Sequence, residues 1–125
     1  MRRLFPAAAL ASLAACNNPF GHICTTFIAA GLVVNVHDSV TGAPIAAGAV
    51  GIATDGAYRD SLRIAGQASD GTPESLAGAD ERPGVYSVQV SKPGYAAWSQ
   101  SNVRVLAGTC HVQTVVLNAE LTPTP

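Results

Sequence analysis

Apolar side chains recur at every second residue along much of this chain, and that period restricts it to strands. Leu32, Val34 and Val36 alternate with Val33, Asn35 and His37. Successive side chains of a strand point to opposite faces, so one face of such a segment is made for a core. Tyr86, Val88 and Val90 alternate in the same way with Ser87 and Gln89. Turn formers separate these runs. Residues 38–44 read Asp-Ser-Val-Thr-Gly-Ala-Pro, Asp55-Gly56 is a strong hairpin signal, and Lys92-Pro93-Gly94 turns the chain into Tyr95-Ala96-Ala97-Trp98. A second strand is expected over residues 48–54 and a third over 57–64, with Tyr58 and Leu62 in phase. Val103 and Val105 mark another short strand, closed by Ala107-Gly108. In the last segment Cys110 and Val112 share one phase while Val115, Leu117, Ala119 and Leu121 share the other, so a β-bulge is expected near Thr114. No apolar stripe of helical period follows the first sixteen residues. Seven or so short strands, with turns every 8–12 residues or so, predict an all-β antiparallel sandwich.

Residues 65–82 break the alternation with Gly66, Asp70, Gly71, Pro73, Gly78 and Asp80. They read as one long loop, with a short edge strand around residues 75–77. The Thr-Pro-Thr-Pro tail, residues 122–125, is expected to stay out of the ladder and fray. Hydrophobic residues make up 48% of the 125 positions and charged ones 12%, which excludes a disordered chain and suits one globular domain. Seven basic residues face eight acidic ones, a net charge of −1, so there is no basic stripe for nucleic acid.

The N-terminus has its own pattern. Met1-Arg2-Arg3 precedes an uncharged run over residues 4–15, the build of a cleaved signal peptide. The run is shorter than the roughly 20 residues that a membrane-spanning helix needs. It ends in Leu13-Ala14-Ala15-Cys16, which resembles the lipobox of bacterial lipoproteins. The resemblance implies cleavage before Cys16, acylation of that cysteine with fatty chains such as palmitate, and a membrane partner reached through it. Ala9-Leu10-Ala11 offers a second, ordinary cleavage site. Loss of Arg2 and Arg3 with residues 1–15 leaves five basic against eight acidic residues. Residues 16–23 then form a tether of roughly 25 Å when extended. Asn17, where an aspartate favours retention at the inner membrane, points to the outer membrane of the cell envelope. Acylation of Cys16 would leave Cys24 and Cys110 as an even pair in an oxidising compartment, where a disulfide is expected. Two buried free thiols are the other state open to them.

The order of the turn motifs also carries a resemblance. Val-Asn-Val-His-Asp-Ser-Val-Thr-Gly-Ala-Pro-Ile (residues 34–45), Asp55-Gly56, Pro-Gly-Val-Tyr-Ser-Val-Gln-Val (residues 83–90) and Lys92-Pro93-Gly94-Tyr95 are similar to carboxypeptidase regulatory-like domains. The resemblance covers roughly residues 31–121, within a domain placed at 24–121. It implies a seven-stranded transthyretin-like sandwich without activity of its own. Hydroxyisourate hydrolases share that fold, but their first-strand histidine corresponds to Asn35 here, and their closing Tyr-Arg-Gly-Ser has no counterpart in Thr-Pro-Thr-Pro. A hydrolase is therefore only a remote alternative.

Other chemistry is thinly signalled. His22, His37 and His111 are expected at surface or strand-edge positions, and neither a metal nor a cofactor is expected. Asp80, Glu81 and Arg82 read as a solvated charge cluster, and no Gly-x-Ser-x-Gly elbow occurs. Tyr95 and Trp98 either anchor the core or form an aromatic platform for a glycan or small ligand. The sequence thus predicts a non-catalytic, lipid-anchored module acting on an unknown envelope protein or glycan. The ligand-binding alternative uses the Tyr95/Trp98 turn.

Overall fold

The computed structural model describes residues 23–125. The expected signal segment, Cys16 and all but the last residue of the tether lie outside the described residues. Within them the chain forms nine strands and no helix: β1 (Leu32–Asp38), β2 (Val50–Asp55), β3 (Tyr58–Ser61), β4 (Arg63–Gln67), β5 (Pro73–Gly78), β6 (Gly84–Ser91), β7 (Trp98–Ala107), β8 (Val112–Gln113) and β9 (Val115–Leu121). They make two sheets, ordered β4-β5-β1-β9 and β3-β2-β6-β7-β8. All pairs are antiparallel except β1 and β9, which run parallel in register from Leu32–Val115 to Asp38–Leu121.

Alternation builds the core from both sheets. Leu32, Val34 and Val36 of β1 and Leu117, Ala119 and Leu121 of β9 meet Tyr86, Val88 and Val90 of β6, all buried. At Gly51 on β2 an added Cβ would stand 2.9 Å from Leu76 Cδ1 and 3.0 Å from Leu62 Cδ1. Only glycine lets β2 come this close to the opposite sheet without displacing them.

Residues 65–82 are not one long loop. They contain the end of β4 and all of β5, which pairs with both β4 and β1 inside its sheet. Ser75, Leu76, Ala77 and Gly78 are all buried, so neither face needs to be polar and the two-residue alternation vanishes. The strand expected over residues 57–64 also divides. Its first half is β3, at the edge of the five-stranded sheet; its end belongs to β4, at the edge of the other. Leu62, buried at the corner, donates its amide to the Gly51 carbonyl at 2.8 Å.

The phase change at Thr114 is likewise a crossing rather than a bulge. β8 pairs with β7 in one sheet and β9 with β1 in the other. Continuous chain therefore closes both sides of the sandwich, which shortens the edges open to other strands. The tail is also held. The Thr122 carbonyl accepts from the Ala96 amide at 2.8 Å, and the Thr124 amide donates to the Gly94 carbonyl at 2.9 Å. Pro123 lacks a donor, but its two neighbours complete the pairing.

Candidate functional site

Cys24 and Cys110 form a disulfide, with their Cα atoms 5.2 Å apart. Beside it lies a cluster that the sequence did not signal. His111 places Nδ1 2.5 Å from Glu81 Oε1 and Nε2 3.0 Å from Thr25 Oγ1. Phe27 stacks on the imidazole, ring centroids 4.2 Å apart. Glu81 also accepts the Ala29 amide at 2.7 Å and the Val112 amide at 3.3 Å. The amide of Ala29 first, and then His111, hold the Glu81 carboxyl below the usual carboxylate range. Glu81 is aimed by a turn in which two non-glycine residues adopt left-handed backbone, Ala79 at φ 53° and Glu81 at φ 50°. No sequence motif encodes that turn.

Carboxylate, imidazole and hydroxyl in this order are the parts of a nucleophilic relay. Thr25 is exposed, Phe27 covers the imidazole ring, and the residue before Thr25 is fixed by the disulfide. The contacts also fasten the 24–30 segment to the β5–β6 turn and the β7–β8 turn. The cluster is a clasp at the point where the sandwich continues toward the N-terminus.

Tyr95 and Trp98 occupy the opening of β7. Both are half-buried and pack against the core. The Tyr95 hydroxyl donates to Asp38 Oδ2 at 2.9 Å, while Asp38 Oδ1 accepts the Val40 and Thr41 amides at 2.8 and 3.0 Å. The Thr41 and Val40 amides, followed by Tyr95, hold the Asp38 carboxyl low; the same bond to Asp38 raises the Tyr95 phenol. Asp38 thus folds its own turn and ties it to the Gly94-Tyr95 turn. Gly42 lies in the first turn at φ 74°, a conformation that costs a glycine little.

The charged run at residues 80–82 separates in three directions rather than forming one cluster. Asp80 pairs with Arg63 at 3.1 Å, and Glu81 joins the clasp. Arg82 reaches Asp55 at 3.0 Å and lies 3.8 Å over the Tyr58 ring. The Tyr86 hydroxyl donates to the Arg82 carbonyl at 2.6 Å, pinning the start of β6 to its turn. His37 stands between Glu74, at 2.9 Å, and Glu120, at 3.9 Å. Among the described residues no group of three or more His, Cys, Asp or Glu side chains has the arrangement of a metal site. No protein-family model matches the chain, and no curated protein matches it.

Proposed function

We propose that this chain is a non-catalytic, lipid-anchored β-sandwich of the bacterial cell envelope that acts through surface contacts with an envelope protein or glycan. The observation that carries this reading is the clasp. A disulfide, an acid–imidazole–hydroxyl chain and a stacked ring fix the 24–30 segment to two turns. A module displayed on a membrane through its N-terminus needs that kind of attachment, because any pull enters there.

The plan of the module is that of the carboxypeptidase regulatory-like, transthyretin-like domains. In this reading its seven strands are β1, β2, β3, β5, β6, β7 and β9, with β4 and β8 as edge additions. Support comes from the motifs. Asp-x-x-Thr-Gly-x-Pro forms the turn that Asp38 organises, Pro-Gly-x-Tyr-x-Val-x-Val runs into β6, and the Gly94-Tyr95 turn meets Asp38.

Cell fractionation tests the anchor. Wild-type protein is expected in the membrane fraction and Cys16→Ala in the soluble periplasmic fraction. Incorporation of labelled palmitate into Cys16→Ala at the wild-type level would overturn the assignment. Crosslinking in intact cells followed by mass spectrometry is expected to recover an envelope component.

A further inference from the structure

We propose that the outer face of the five-stranded sheet carries a shallow binding site for an acidic saccharide, with Arg59 meeting the sugar carboxylate. A groove of about 320 Å³ opens there, lined chiefly by Ile52, Thr54, Arg59, Ser87, Gln89 and Ser99. Strand register explains how these residues come together. Arg59, Thr54 and Ser87 form one row across β3, β2 and β6. Ile52, Gln89 and Ser99 form the next row across β2, β6 and β7. The β6–β7 pairing slips at Ser87, and Asn102 on the facing strand takes φ 56°. Such a bulge bends the strand and re-aims its side chains beside a site.

Four of the lining side chains are free to bind, while the Thr54 hydroxyl donates to the Ser87 carbonyl at 3.4 Å. Arg59, Ser87, Gln89 and Ser99 make no side-chain hydrogen bond or ion pair to another described residue. By contrast, Arg63 is paired with Asp80 and Arg82 with Asp55. The neighbouring acid, Asp60, accepts the Ala79 amide at 2.8 Å and so is turned away from the groove. Arg104 lies on the same outer face, opposite Val85, and is also unpaired among the described residues. A face with two free cations is complementary to an anion even though the chain is slightly acidic.

The remaining lining selects the ligand class. Hydroxyls and a carboxamide both donate and accept, which matches the hydroxyls of a sugar. Ile52 gives its ring an apolar floor. The volume stands at the low end of the roughly 300–1,000 Å³ of small-molecule sites, enough for a short oligosaccharide rather than a folded partner. An acidic peptide would gain most by adding to a strand edge, but this groove lies on a sheet face whose ladder groups are already paired. The assignment deepens the surface-contact reading yet does not depend on the lipid anchor, so Cys16→Ala leaves it unchanged.

Calorimetric titration of the full chain in mild detergent provides the test, with trigalacturonic acid as the probe. Saturable binding is expected, with maltotriose and oligoglutamate at least tenfold weaker. Arg59→Ala is expected to weaken trigalacturonate about tenfold or more, because a charge-assisted contact is lost. Ser99→Trp, which fills the groove and keeps every charge, is expected to do the same. Arg63→Ala, on the other sheet, is expected to have no effect. Absence of saturable binding would overturn the proposal, as would equal affinity for oligoglutamate or an Arg59→Ala variant that binds like wild type. Equal affinity for maltotriose would remove the acidic requirement and overturn it too.

Discussion

Asp38 and Glu81 show how one carboxylate can organise a turn and then fasten it to something distant in sequence. Each accepts backbone amides that are lined up only in the folded chain. Both folded pKa values therefore lie below the unfolded ones. The sign follows directly: their stabilisation is complete above the ordinary carboxylate range and is lost as pH falls through the lowered values. Asp70, held by the Thr72 amide, contributes in the same direction. The melting temperature is expected to drop as pH is lowered below the ordinary carboxylate range. Asp38→Asn and Glu81→Gln should each make that drop smaller in a pH series of thermal melts. An unchanged acid slope in the double variant would refute the account.

At the scale of the element, β5 is the strand that propensity and pattern conceal. Leu76 is buried while Ile64, on the neighbouring edge strand, is 52% exposed. Leu76→Ala is expected to cost about 2–5 kcal/mol, and Ile64→Ala no more than about 0.5 kcal/mol, in denaturant unfolding. A loop at residues 73–78 would instead make both substitutions cheap. β1 and β6 were legible because each has one wet face, so apolar and polar residues alternate. β5 has none, and its serine, glycine and alanine resemble a linker. The crossings at Leu62 and Thr114 were visible only as continuity or as a slip of phase, since a strand that changes sheets keeps its local geometry. The candidate sites were less legible still. Thr25, Glu81 and His111 are far apart in sequence and meet through two turns. Arg59, Thr54 and Ser87 look like ordinary solvent-facing residues until register sets them in one row. The cysteine pair was legible because the signal-like N-terminus leads to the expectation of an oxidising compartment, where two thiols have few other fates.

For the whole molecule, the Cys24–Cys110 bond closes a loop with a sequence separation of 86 residues. In the chain-entropy account a loop of that size restricts the unfolded state by roughly 4–5 kcal/mol. That is a large share of the ~5–15 kcal/mol that holds a typical domain. Guanidinium unfolding of the oxidised protein is expected to show that difference from the Cys24→Ala/Cys110→Ala variant. Thiol titration of the unfolded, unreduced chain should find neither cysteine reactive; two reactive thiols from this pair would refute the bond. The same closure makes a covalent ring that takes in β1 through β7. A protease that cuts one exposed turn of the ring, such as the one at residues 68–72, releases no fragment. Both new ends stay joined through the sulfur bridge and paired in their sheets, so a nicked molecule remains a single body.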